Sequence, residues 1–245
     1  MPLHFLLDEP AQAQPGDAVA LTGPEAHHAA AVRRVRTGEE VSLGDGHGAW
    51  LEGVCEEVSP RLVSIRITAR RDIPAAAPRL VLVQALAKGD RDELAVQAAT
   101  ELGVDEIVPW QASRSVSRWD AAKAQKGRAR WATIAREAAK QAHRPWLPEV
   151  STLATTRDLV ARGASARILV LEPTGSAALT TTAFDPADPR DILLVVGPEG
   201  GIAAEELDLL AAAGAEIVRL GSTVLRTSTA GPAALALVSA AIGRW

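Results

Sequence analysis

Two hydrophobic periods divide this chain. Up to residue 72, apolar and polar positions alternate: Val63, Ile65 and Ile67 are separated by Ser64, Arg66 and Thr68, and Trp50 to Val58 is a second such stretch. Period two is the mark of half-buried strands. Gly44-Asp45-Gly46-His47-Gly48 supplies turn chemistry between strands, and a small barrel is the natural way to close so few short strands. Ile73-Pro74-Ala75-Ala76-Ala77-Pro78 then breaks the pattern, because proline disfavours both helix and central strand.

From Leu80 the pattern becomes that of alternating strands and helices. Leu80 to Leu86 is an apolar run; Asp90 and Glu93 are spaced as N-cap and N3; Leu94, Ala98 and Leu102 follow at four-residue steps; Gly103 stops the helix and Val104 to Val108 is again a strand, together a βαβ unit. Trp131, Ile134 and Ala138 form the apolar stripe of a further helix. Ile168 to Leu171, Ile192 to Val196 and Ile217 to Leu220 are continuous apolar runs, as expected of parallel strands covered on both faces. A helix is predicted from Ala203 to Ala213, stopped by Gly214. A last one, from Pro232 at N1 to Ile242, is apolar nearly all round and expected in the core or in a subunit interface. The chain thus divides into a β domain over 1–72, a linker over 73–79 and an α/β domain over 80–245.

Composition narrows the classes. With 245 residues, 47% hydrophobic and 23% charged, the protein is globular. The lone Cys55 excludes an intrachain disulfide and a cysteine-rich zinc site, and fits a cytoplasmic protein. The N-terminus lacks the pattern of a signal peptide, and no apolar run approaches the roughly 18 residues of a membrane span. Net charge is −4, which taken alone argues against a polyanion partner. Mapped along the chain it reads differently: residues 1–111 carry −7, residues 112–146 carry +7 and residues 147–245 carry −4. The central excess comes from Arg114, Arg118, Lys123, Lys126, Arg128, Arg130, Arg136, Lys140 and Arg144 against Asp120 and Glu137. Local density rather than the total sets the field.

Ligands of open α/β sheets bind beyond the carboxyl ends of the strands. Glycine-containing loops occupy three such places: 172–175, 197–201 and 221–231. The helix after the second could aim free N–H groups at a ligand. Their spacing matches neither the dinucleotide-binding G-x-G-x-x-G nor the P-loop, and there is no G-x-S-x-G, H-E-x-x-H or clustered His/Cys set, so no metal is expected. His27 and His28 are adjacent and read as capping or packing residues.

Leu194-Val195-Val196-Gly197-Pro198-Glu199-Gly200-Gly201, followed by Leu220-Gly221 and Val224-Leu225-Arg226-Thr227 with Thr229-Ala230, resembles the C-terminal signature of SPOUT-class RNA methyltransferases. More narrowly, the chain is similar to the ribosomal RNA small subunit methyltransferase E family, which methylates N3 of a uridine in 16S rRNA. Leu21-Thr22-Gly23 with Glu25-Ala26-His27-His28, Val32-Arg33, Arg36 and Gly38-Glu39-Glu40-Val41 is similar to its N-terminal RNA-binding segment. Lys88-Gly89-Asp90-Arg91, Ala99-Thr100-Glu101-Leu102-Gly103-Val104, and Gln141 with Arg144 match its central motifs.

The resemblance implies a PUA-like β-barrel followed by a SPOUT α/β domain with a C-terminal trefoil knot, a homodimer, S-adenosylmethionine as cofactor and 16S rRNA or the 30S subunit as partner. Carried over residue by residue, cofactor contacts fall on Leu171, Glu172, Gly197, Pro198, Glu199, Gly200, Gly201, Ile202, Leu220, Gly221, Val224, Leu225 and Arg226. Arg226 is the candidate for stabilising negative charge on the uracil; Glu199 is either a base or a residue that holds its loop. Arg33, Arg34, Arg36, Arg91, Arg114 and Arg144 are the expected RNA contacts. The chain departs from the family in having Ser228 in place of a glutamate, Thr223 in place of an arginine, and His4 near where N-terminal arginines are usual. Another knotted methyltransferase with a different RNA target, and a non-catalytic ribosome-assembly factor, are the competing readings.

Overall fold

The computed structural model describes residues 2–9, 11–185 and 187–245; Met1, Pro10 and Pro186 lie outside the described residues. The chain forms two compact units, Met1–Ala75 with Ala139–Leu147, and Ala76–Ala138 with Pro148–Trp245. The return of 139–147 to the first unit has no counterpart in a linear division at 72, 73–79 and 80, since alternation of apolar residues reports local faces and not long-range packing.

In the first unit, β1 (Leu3–Leu6), β2 (Ala18–Thr22), β3 (Glu40–Gly44), β4 (Ala49–Val58) and β5 (Leu62–Asp72) make one sheet in the order β1-β3-β4-β5-β2. Between β2 and β3 lie the short helix α1 (Gly23–His27) and a π-helical turn over His28–Val32. The predicted alternation is the observed one: Val63, Ile65 and Ile67 are buried with Leu43, Leu51 and Phe5 in a single core. The glycine-rich turn is held by Asp45, whose Oδ1 accepts from the backbone N–H of His47 (2.7 Å) and Ala49 (3.1 Å). His28 packs edge-on to Phe5, and no group of metal-ligating residues occurs among the described residues.

The second unit is built from β6 (Leu80–Ala85), α2 (Arg91–Glu101), β7 (Glu106–Trp110), α3 (Ala121–Gln141, whose last turn belongs to the first unit), β8 (Glu149–Val150), α4 (Thr156–Arg162), β9 (Ala166–Leu171), β10 (Ala177–Ala178), β11 (Asp191–Val196), α5 (Ala204–Ala212), β12 (Glu216–Arg219) and α6 (Thr227–Ala241). Seven parallel strands run in the order β10-β12-β9-β11-β6-β7-β8. Alternate residues of each central strand enter two separate cores: Leu82, Leu169 and Leu194 on one face, Val83, Val170 and Val195 on the other. Burial on both faces is why these strands read as unbroken apolar runs. Among the described residues, no helix is long and apolar enough to cross a membrane.

Two helix readings require correction. The buried face of α2 is Asp92, Ala95, Val96, Ala99 and Thr100, while Leu94 is half exposed. Small residues let α2 approach its neighbours closely, so the larger leucine is not on the packed face. Asp90 stands at the N-cap, as its spacing from Glu93 predicts, but makes no side-chain cap; Asp92 instead accepts from the N–H of Ala87 (3.1 Å) and Glu93 (2.9 Å). The last helix begins at Thr227, not Pro232, which lies inside it.

Candidate active site

Parallel register sets Val196 beside both Leu171 and Gln84, and Val218 beside Leu171, so β9, β11, β12 and β6 end at one edge of the sheet. The loops leaving β9, β11 and β12 converge on a cavity of about 380 Å³, a size usual for small-molecule sites. Leu171, Glu172 and Pro173 contribute from the first loop; Gly197, Pro198, Glu199, Gly201 and Ile202 from the second; Leu220, Gly221, Thr223, Val224, Leu225 and Arg226 from the third. Of the residues expected at the cofactor, only Gly200 is not on the wall: a Cβ there would meet Arg114 at 3.4 Å. Val196, Thr227, Ala230 and Arg91 complete the lining.

Hydrogen bonds fix these loops to one another. Glu199 Oε1 accepts from the Lys88 N–H (3.0 Å) and from the Arg91 guanidinium (2.8 Å), tying the β11–α5 loop to the start of α2. Partial burial opposes ionisation of Glu199, but hydrogen bonds from its own N–H, Arg91 and Lys88 outweigh it and hold the carboxyl below the usual range. Such a carboxylate is a weak proton acceptor. Behind the wall, the Gln84 amide donates to Thr227 Oγ1 (2.8 Å) and Thr227 donates to the Gly197 carbonyl (2.9 Å), joining β6, α6 and the second loop. Glu206 accepts from Ser113 N–H and Oγ (3.0 and 2.9 Å), from Thr156 Oγ1 (2.6 Å) and from the Ala203 N–H (3.4 Å). One donor at the start of α5 is therefore taken up by its own carboxylate rather than left for a ligand. The signal for Gln84 was present in the sequence, as the single polar residue within an otherwise apolar strand.

Arg226 is exposed, stands at the N-cap of α6 and has no side-chain partner among the described residues. Gly221 is also exposed, and a Cβ added to it meets nothing within 4 Å. Neither packing nor backbone angle demands glycine there, so the bare backbone keeps the rim open. Apolar walls and an open backbone rim fit a nucleoside-bearing ligand. Thr223 lies on the wall, and Ser228 is half-buried in the first turn of α6.

The expected RNA contacts divide between the two units. Arg33, Arg34 and Arg36 are exposed in the first, with no side-chain partner among the described residues; Arg144 also belongs there. Arg91 is paired with Glu199, and Arg114 donates to the Gly200 carbonyl (3.3 Å). The basic segment is not a uniformly free face. Arg130 pairs with Glu93 (2.8 Å), Lys140 with Glu25 (2.9 Å), and Arg128 donates to the Val150 carbonyl (2.7 Å).

A parallel α/β unit with a loop cavity at its carboxyl edge, preceded by a small β unit, is the architecture of a two-part RNA methyltransferase. Residues 75–239 match the RNA methyltransferase domain and residues 21–68 the RNA methyltransferase PUA domain. Ribosomal RNA small subunit methyltransferase E of Mycobacterium bovis is 43% identical over 235 residues, covering 94% of this chain and 89% of the relative; that of Bacillus subtilis is 32% identical over 249 residues, covering 98% and 96%. The chain belongs to the ribosomal RNA small subunit methyltransferase E family. The family's Neisseria gonorrhoeae structure, bound to S-adenosylmethionine, superposes with a TM-score of 0.85 at 27% identity over 98% of each chain. A Legionella pneumophila methyltransferase in complex with the same cofactor gives a TM-score of 0.85 at 30% identity, again over 98% of each chain.

Proposed function

We propose that this protein transfers a methyl group from S-adenosylmethionine to N3 of a uridine in 16S rRNA, with the three-loop cavity as the cofactor site. The observation that carries the reading is the convergence of loops 172–176, 197–203 and 220–226 on one cavity whose walls hold all but one of the residues expected at the cofactor. S-adenosylmethionine, when bound, supplies an electrophilic methyl on sulfur. The apolar residues Leu171, Ile202, Leu220 and Leu225 exclude water around the ligand, and the backbone at Gly221 admits it closely.

Uridine N3 carries a proton at neutral pH, so negative charge builds on the uracil as that proton passes to solvent water. Arg226, at the rim and without a side-chain partner among the described residues, stabilises this charge. Glu199 acts as the strut between two loops rather than as the base, because its Oε1 is engaged twice and its lowered pKa makes it a weak proton acceptor. The target base must be unpaired or flipped out to expose N3. Arg33, Arg34 and Arg36 engage phosphates, which makes binding steeply salt-dependent.

The finer architecture belongs to the same proposal: the five-stranded unit closes as a PUA-like barrel, and the segment through α6 forms a trefoil knot of the SPOUT type. The protein works in the cytoplasm as a homodimer, a state supported by the nearly all-apolar α6, on which Leu237 stands exposed. Calorimetric titration with S-adenosylmethionine tests the site: the wild-type protein is expected to bind one equivalent per chain. No heat of binding would refute the cofactor reading and favour a non-catalytic assembly factor.

A further inference from the structure

The outward face of the first unit's sheet carries an aromatic cluster with no part in the cavity described above. Register places His4 beside Ser42, Ser42 beside Glu52, and Gly44 beside Trp50, which in turn lies beside Arg71. Gly44 is the reason the cluster can form. A Cβ at that position would come within 3.1 Å of the His4 ring. In its absence the imidazole leans across the glycine and stacks on Trp50, with centroids 4.5 Å apart and planes 8° from parallel.

His143, from the returning segment 139–147, brings its ring to 5.2 Å from His4 and 6.5 Å from Trp50. Its backbone has φ 54, a left-handed conformation that places the ring over the sheet. Trp50 and His143 are only partly buried. Both line an open recess of about 370 Å³ whose other walls include Ser42, Thr68, Glu52 and Arg71. Glu52 accepts from Arg71 (2.6 Å) through Oε1, and no partner holds its second carboxylate oxygen among the described residues.

This chemistry selects its ligand. Aromatic faces at the wall of a recess stack on planar rings, and sequence-tolerant or specific recognition of single-stranded RNA relies on such stacking. The carboxylates of Glu40 and Glu52 repel a phosphate but accept N–H donors from a base edge. Positive charge lies close by: burial first, then the chain's N-terminus and Arg33, lowers the pKa of His143. Arg33, Arg34 and Arg36 all stand exposed.

We infer that the recess beside Trp50 and His143 binds one unpaired nucleobase of the substrate RNA, stacked on these two rings with an N–H edge donating to Glu52. The inference rests on the proposed reading of the protein as an rRNA methyltransferase. Full-length Trp50→Leu, Trp50→Phe and Arg33→Ala proteins are compared with wild type for binding and methylation of 16S rRNA across a salt series. Trp50→Leu is expected to raise the KM for RNA by roughly tenfold, with kcat within about twofold and an unchanged salt slope, because no phosphate contact is lost. Trp50→Phe keeps a stacking ring and restores near-wild-type KM. Arg33→Ala flattens the salt slope.

Ultraviolet crosslinking of the wild-type protein to the same RNA gives a readout that does not depend on how the variants fold. Adducts are expected on the peptide holding Trp50 or the one holding His143. Trp50→Leu with wild-type KM, or adducts confined to other peptides, would overturn the base site while leaving the methyltransferase reading intact. A wild-type protein that transfers no methyl group to RNA would overturn both.

Discussion

Arg226 and Gly221 lie on the same loop and make opposite predictions. Removing the guanidinium in Arg226→Ala leaves the apolar walls of the cavity in place, so cofactor affinity should stay within a few-fold. Methyl transfer should fall by at least about a hundredfold, the usual cost of losing a group aimed at developing charge. Gly221→Leu reverses the pattern: with nothing within 4 Å of the new Cβ, the protein should fold normally. The side chain then obstructs the rim and calorimetric binding of S-adenosylmethionine is lost. His4 makes a separate prediction. Burial first, then the charges of His143 and Lys140, lower its pKa from 6.5 to about 4. The unfolded chain therefore binds this proton more readily than the folded one, and the stability contribution is complete above pH 6.5 and is lost as pH falls towards 4. Denaturant unfolding at pH 7.5 and 5 should show wild type losing stability in acid, by about 1–2 kcal/mol, and His4→Phe losing distinctly less.

At the scale of elements, α6 is the part on which the site depends most. Gly231 lets it lie against β6 and β11: a Cβ there would meet Leu82 Cδ1 at 2.7 Å and Val196 Cγ2 at 3.3 Å. Gly231→Val should cost about 1–3 kcal/mol by overpacking, measured as a lower urea midpoint. Much of this layer was legible in the sequence. Strands such as Ile192–Val196 announce themselves because both faces are buried, and the loops that follow them carry recognisable motifs. What stayed hidden depends on partners distant in the chain. The packed face of α2 is Asp92, Ala95, Val96, Ala99 and Thr100, small or polar residues for the most part, which carry little apolar signal beside Leu94. The helical turn before Pro232 is held by Thr227 through Gln84 and Gly197, contacts that no local pattern reports.

For the molecule as a whole, the net charge of −4 conceals a basic segment of +7, but the segment is not simply an RNA face. Arg130 and Lys140 neutralise Glu93 and Glu25, so part of the local excess serves internal tethering. The exposed Arg33, Arg34 and Arg36 lie outside it, within the stretch 1–111 whose total is −7. Charge summed along a chain reports neither which cations are paired nor which face they share.

The most direct test of the proposed activity is mass spectrometry of 16S rRNA after incubation of the purified protein with unmethylated 30S subunits and S-adenosylmethionine. One N3-methyluridine per subunit, absent from the reaction with Arg226→Ala, is the expected result. No methylation by the wild-type protein, or a methyl group on a ribose or on another base, would contradict it.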